Sequence, residues 1–337
     1  MDSVFNLQDH LVHDKRKAQI STAYNINGRE VDLIEPSIDE QILVMLDALR
    51  TKYVPKHEKP SPPLLDFSDF SSFLTMDVIT RSAFGEEFGH LRSDSDVTGF
   101  LSHLREQWPM VSLVNETPFL RSFFYSKAYL RFFGPNITDP TGFGKLMSGV
   151  VRIVHQRPPV YRKLKAAVKE AVSSGAVTEP ISYGLAKEIP YLRAVVYEGM
   201  RMRPGATGTF PKVVPPQGEV VQGKFIPGGT VVGMNVPYML RSPELFGSDA
   251  GLFRPERWLE APEAKRGEME RQVEMMFGHG RWMCAGKPIA LMELFKTFFE
   301  FFRHFDFTIA YPAKPWNSRC YNVFVEDNMW IQVTEAA

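Results

Sequence analysis

The chain has 337 residues, 44% of them apolar and 23% charged, an ordinary balance for a globular protein long enough to bury a sizeable core. Lysine plus arginine matches aspartate plus glutamate at 39 each, so no global field recruits nucleic acid and any charged docking patch is local. Two cysteines, Cys284 and Cys320, argue against a disulfide framework and fit a reducing compartment.

The first residues carry neither a basic n-region nor an apolar h-region, and no apolar run approaches the roughly 20 residues that span a bilayer. As written, the chain reads as soluble or peripherally attached. Residues 10–24 predict a short basic helix on which His13 and Lys17, four apart, share a face. Taken alone, that face is simply solvated. Residues 38–50 predict an amphipathic helix, and Val54 to Leu65, with Pro55, Pro60, Pro62 and Pro63, reads as a loop.

Asp66 to Phe84 reads as a buried helix. Aromatic residues cluster over 97–133, and Gly142 to Arg157 predicts a helix with one apolar side. Pro158 to Val172 is an amphipathic helix opened by two prolines and stopped near Gly175. Ile189 to Pro204 predicts a mostly apolar helix carrying Glu198 and Arg201 three apart. On a surface such a pair contributes under about 1 kcal/mol. The apolar setting favours burial, and a buried pair needs a further partner.

Lys212 on its own reads as an exposed strand-edge lysine. Glu219 to Ile226, Pro227-Gly228-Gly229 and Thr230 to Met234 predict a hairpin with a glycine turn. Glu260 to Glu274 reads as a charged, solvated loop that could also flank a docking surface. Pro288 to Phe305 predicts a helix apolar on nearly all sides, which belongs in a core, and Ser318 to Val333 predicts strands around a turn at Glu326-Asp327-Asn328.

Between these lies the most informative stretch, Phe277-Gly278-His279-Gly280-Arg281-Trp282-Met283-Cys284-Ala285-Gly286. A thiol binds metal as thiolate, which backbone N–H groups and the positive end of a helix stabilise. Gly278, Gly280 and Gly286 let the backbone wrap the sulfur, and Pro288 suits the first turn of the following helix. Phe277 could shield the sulfur, and Arg281 offers a cation to a carboxylate. An isolated cysteine is more often a small buried hydrophobe. The surrounding pattern favours an iron ligand.

This loop resembles the signature of the cytochrome P-450 family of haem-thiolate monooxygenases, and the phrasing is similar to fungal secondary-metabolism members. The resemblance implies a mainly α fold with small β-sheets, one domain over residues 1–337, and haem b (iron protoporphyrin IX) as cofactor. It makes Cys284 the axial ligand of haem iron, with Phe277, Gly278 and Gly286 around it. Arg281, Lys212, His13 and Lys17 would hold the propionates, although arginine is usual where Lys17 stands. Glu198 and Arg201, joined by Arg257 from Phe253-Arg254-Pro255-Glu256-Arg257-Trp258, would form a structural lock for the cysteine loop.

The implied reaction inserts one oxygen atom from dioxygen into an apolar small molecule, with electrons from an NADPH-dependent flavoprotein reductase, in the cytoplasm or peripheral to the endoplasmic reticulum. No nucleic acid and no membrane anchor are expected. The family's earlier membrane anchor, helices and strands are not present in this sequence. Nor is the central helix with its small-Gly-x-acid-Thr motif, expected between Arg157 and Pro158, so no catalytic residue is identifiable. A monooxygenase therefore stands beside two alternatives: an impaired or inactive truncated member that at most binds haem, and an oxygen-independent haem-thiolate isomerase or dehydratase.

Overall fold

The computed structural model describes residues 10–24, 31–55, 63–117, 119 and 157–336. Helices dominate, and the core is built on the Lys287–His304 helix, buried at every position from Ala290 to Phe302. Around it pack the Val31–Lys52, Pro158–Ser173 and Pro190–Met202 helices.

Local signals mark these helix ends. Pro158, Pro190 and Pro288 each occupy a first turn, where the missing N–H costs nothing. Asp66 caps the Phe67–Phe84 helix, its carboxylate accepting from the Ser68 N–H at 3.0 Å, and Gly85 ends it at φ +80°, the left-handed conformation that glycine adopts freely. Asp66 also accepts from the N–H groups of Asn328 and Met329, which ties that helix to the main sheet.

The main sheet is antiparallel, with Trp330–Glu335 central between Leu65–Asp66 and Phe305–Ile309. Leu65 thus belongs to a strand, where the sequence had placed the end of a loop. Phe307 stands opposite Val333 and Ile309 opposite Ile331, all four buried against the core, and burial on one face pins the register.

Two expectations about the strands are corrected. Glu219–Val221 pairs with Lys224–Ile226 across Gln222 and Gly223, both at positive φ, the two-residue turn that suits strand twist. Val231–Val232 pairs instead with Lys212–Val213, so Pro227 to Gly229 links two small sheets and is not the turn of one hairpin. In the last segment Asn317–Cys320 pairs with Phe324–Asp327, turning at residues 321–323. Asn328, at φ +63°, is the corner into the final strand.

The charged segment expected as a loop, Glu260 to Glu274, is helical at Glu263–Glu274, after a short helix at Glu256–Glu260. Met269 and Val273, four apart, are buried, and Glu270 takes both guanidinium branches of Arg193 at 2.8 Å. The central helix, expected to be uniformly apolar, carries buried Glu293, Lys296 and Glu300. Lys296 pairs with Glu35 and, at 2.7 Å, with Asp39 of the Val31–Lys52 helix. Burial of these charges is tolerable because neighbouring segments bring counter-charges and N–H groups.

The helices expected over residues 10–24, 38–50, 66–84 and 158–172 are present as His10–Tyr24, Val31–Lys52, Phe67–Phe84 and Pro158–Ser173. The expected helix from Gly142 and most of the aromatic cluster after Phe119 lie outside the described residues. Among the described residues no helix is long and apolar enough to cross a membrane.

Candidate functional site

The cysteine loop is strung between two helices. The Glu263–Glu274 helix runs into a turn of 3-10 helix at Met275–Phe277, and a second such turn follows at Gly280–Trp282. The loop closes where the Cys284 N–H donates to the Phe277 carbonyl at 2.6 Å. Gly278 makes the closure possible: its φ is +77°, and a Cβ there would lie 2.6 Å from the Trp282 carbonyl oxygen. Gly286 differs from the sequence reading. It has φ −80°, and a Cβ would meet only the Cys284 sulfur, at 3.8 Å, so ordinary van der Waals contact replaces the expected clash.

Cys284 is half-buried immediately before the Lys287–His304 helix. Burial pushes its thiol pKa up, while N–H groups of Gly286 and Lys287 and the Lys17 ammonium pull it down. Desolvation therefore outweighs the helix-start effect that the sequence suggested. Phe277 is buried, consistent with a shielding role.

Three predicted cofactor residues reach this loop from two other parts of the chain, the His10–Tyr24 helix and the Lys212–Val213 strand, and a fourth, Arg281, is on the loop itself. The Lys17 ammonium donates to the carbonyls of Arg281 and Met283 at 2.5 and 2.6 Å. His13, 3% exposed, packs its ring 4.2 Å from that of Trp282. Lys212, on an exposed strand, lays its ammonium 4.1 Å from the same indole. Arg281 faces Asp14 at 3.5 Å.

Burial lowers the pKa of both Lys17 and Lys212, and neither forms an ion pair among the described residues. Two partly desolvated ammonium groups that form no ion pair among the described residues, beside a half-buried sulfur, are a donor set suited to a flat dicarboxylate carrying a metal centre. The residues present therefore fit haem. Sequence reasoning missed Trp282 and Asp14. An aromatic side chain two residues before the cysteine was the available signal for Trp282.

The lock is assembled as well. Glu198 and Arg201 have fully buried side chains and pair through two contacts of 2.8 Å. Arg257 reaches the same carboxylate at 3.1 Å, and Trp258 Nε1 donates to it at 2.9 Å. The remaining guanidinium protons go to carbonyls of Leu240, Ala250 and Leu252, and to those of Phe246, Asp249 and Leu252. The Asp249 carboxylate, 2.8 Å from Arg257, supplies the second negative charge for the two guanidinium groups, so the buried charges are compensated, the condition for tolerating them. The route to the cysteine is short: Tyr197, next to Glu198, donates to Glu274 at 2.7 Å, and Lys287 donates to Glu274 at 2.6 Å. The Pro190–Met202 helix that carries Glu198 and Arg201 is thus bonded, through Tyr197 and Glu274, to both helices that flank the loop.

A separate cavity of about 380 Å³ opens among Tyr53, Asp66, Asp69, Asp94, Arg105 and Trp330. It includes no residue of the cysteine loop.

Comparison with known proteins agrees with this geometry. The family model described as Cytochrome P450 matches residues 149–330. The chain is 40% identical to "Cytochrome P450 monooxygenase aba1" of Botryotinia fuckeliana, covering 99% of this chain and 76% of that protein. It is 37% identical to "Cytochrome P450 monooxygenase abl1" of Leptosphaeria maculans, covering 93% and 65%. In fold it is similar to the crystal structure of the cytochrome P450DA heme domain, with a TM-score of 0.70 and 17% identity over 94% of this chain and 76% of that one. The chain belongs to the cytochrome P450 family of monooxygenases, with fungal relatives and haem b as its cofactor.

Proposed function

We propose that Cys284 is the axial ligand of haem iron and that the protein inserts one atom of dioxygen into an apolar small molecule. The observation that carries this reading is the convergence on one loop of a half-buried sulfur and two ammonium groups, Lys17 and Lys212, that form no ion pair among the described residues. Haem, when bound, supplies oxygen-activating redox chemistry that a thiolate ligand promotes. The chain's own residues hold and orient it. Lys17, Lys212, His13 and Arg281 would face the carboxylates, Phe277 would keep water from the sulfur, and the N–H groups of Gly286 and Lys287 would temper its charge.

Electrons would come from NADPH through a flavoprotein reductase, with the protein in the cytoplasm or at the surface of the endoplasmic reticulum. The reductase, the substrate class and the compartment rest on family membership.

One observation favours a second reading, a single P450-like domain that binds haem without turnover. The alignment with aba1 runs to 389 positions, whereas this chain has 337 residues, a difference of 52. At least that many positions of the relative therefore face no residue here, which supports a missing internal block. The sequence places its loss between Arg157 and Pro158, where the oxygen-activating helix is expected.

The test is expression with haem supply, reduction and addition of carbon monoxide. A thiolate-type Soret band that disappears in Cys284→Ala is expected, and its absence from the wild-type protein overturns both readings. Reductase-driven product formation from an apolar substrate panel then supports the monooxygenase; haem binding without turnover supports the second reading.

A further inference from the structure

We propose that Trp282 is a positioning residue for the cofactor's carboxylates, its indole seating Lys212 and His13 against the cysteine loop. The inference rests on the haem-binding reading above.

Three separate segments meet at this ring. His13 comes from the His10–Tyr24 helix, Lys212 from the Lys212–Val213 strand and Trp282 from the turn two residues before Cys284. The His13 and Trp282 rings lie 4.2 Å apart with a 43° tilt, and the Lys212 ammonium lies 4.1 Å from the indole centroid. The peptide units on either side of Trp282 are held as well, because the carbonyls of Arg281 and Met283 both accept from Lys17. The indole is thus fixed by its own backbone and can fix what rests on it.

An ammonium over an indole face is attracted by the ring quadrupole without being neutralised by it. Lys212 has lost part of its hydration and has gained no carboxylate among the described residues, so its charge remains available to an arriving anion. A free lysine gives up roughly 2 kcal/mol of rotamer entropy when ordered. Ordering it beforehand on Trp282 removes much of that cost from the binding step. A glycine-rich loop has no structural need for a large ring at this position, which leaves Trp282 37% exposed. Contact with two predicted carboxylate-binding residues gives the ring a purpose.

The experiment titrates haemin into apoprotein and follows the Soret band, for wild type, Trp282→Phe, Trp282→Leu, Lys212→Met and the Trp282→Leu/Lys212→Met double variant. Trp282→Leu is expected to weaken binding about tenfold, the scale of a desolvated cation–π contact, and Trp282→Phe by less than about threefold. In the Lys212→Met background the Trp282→Leu penalty should fall below about threefold, because the residue acts through Lys212.

Unchanged affinity in Trp282→Leu, or a full penalty in the Lys212→Met background, overturns the proposal in favour of a simple loop plug. A second readout needs no cofactor. Acylation of Lys212 by an N-hydroxysuccinimide ester, followed by mass spectrometry in folded apoprotein, should be several-fold faster in Trp282→Leu than in wild type. Equal rates overturn the proposal even if a variant binds haemin poorly because it is misfolded. Wild-type apoprotein that binds no haemin overturns the haem reading as well, whereas equal affinities in wild type and Trp282→Leu sink this proposal alone.

Discussion

Glu198 and Arg257, 59 residues apart in the chain, meet at 3.1 Å with 0% and 3% of their side chains exposed. One carboxylate thereby joins the Pro190–Met202 helix to the segment that leads into the cysteine loop, and Trp258 donates to it as well. Glu198→Ala would leave two guanidinium groups and an indole N–H buried without their acceptor. A loss of about 3–5 kcal/mol is expected, read as a fall in the urea midpoint or as failure to accumulate soluble protein. Trp258→Phe removes one donor to a charged acceptor and should cost about 1.5–3 kcal/mol.

Glu293 predicts a pH dependence. It is 4% exposed, its side chain bonded to Thr75 at 2.6 Å, and burial raises its pKa from 4.5 to about 7. The folded state therefore retains this proton after the unfolded chain has released it. The contribution is fully present below pH 4.5, declines as pH rises and is lost once pH passes about 7. The size of that loss is on the order of 3 kcal/mol. Glu293→Gln should match wild type in urea midpoint near pH 4.5 and exceed it at pH 8. Parallel pH profiles for the two proteins would refute the burial account.

The two loop glycines should behave differently. Gly278→Ala forces a side chain at φ +77° into the Trp282 carbonyl, and about 1–3 kcal/mol of destabilisation is expected. Gly286→Ala has φ −80° and only the 3.8 Å contact with sulfur, so it should cost less than about 1 kcal/mol in the apoprotein. Thermal unfolding of the two apoproteins side by side decides this.

Cys284→Ser tests ligation apart from packing. The hydroxyl keeps the approximate size of the thiol, so apoprotein stability should change by less than about 1.5 kcal/mol. The thiolate-type carbon monoxide band should vanish. A retained band would assign the ligand elsewhere, with Cys320, exposed and 3.1 Å from the Thr207 hydroxyl, as the remaining thiol.

Much of the architecture was legible because it is encoded over short distances. Proline at a first turn and glycine at positive φ act on neighbouring residues, so the helices at Pro158, Pro190 and Pro288 and the turn at Gly278 follow from composition within a few positions. Glu263 to Glu274 escaped because its charges resemble a solvated loop. Only the contacts of Met269, Glu270 and Val273 with other helices show which face is inward. The buried polar residues Glu293 and Lys296 escaped for the converse reason: an apolar period does not reveal the Thr75 hydroxyl that bonds Glu293 or the Glu35 and Asp39 carboxylates that pair with Lys296.

By itself, the sequence determined that Cys284 stands on a glycine-turned loop ahead of a helix and that Glu198 and Arg201 share one helix face, since both are consequences of local spacing. Tertiary structure alone decided that Val231–Val232 pairs with Lys212–Val213, and that His13, Lys17, Lys212 and Trp282 meet at one point. Contacts between segments that the chain must loop back to join, from the Lys212–Val232 strand pair to Lys17 and Met283 at opposite ends of the chain, depend on which chain closures the whole core can stabilise, and no local period encodes that choice.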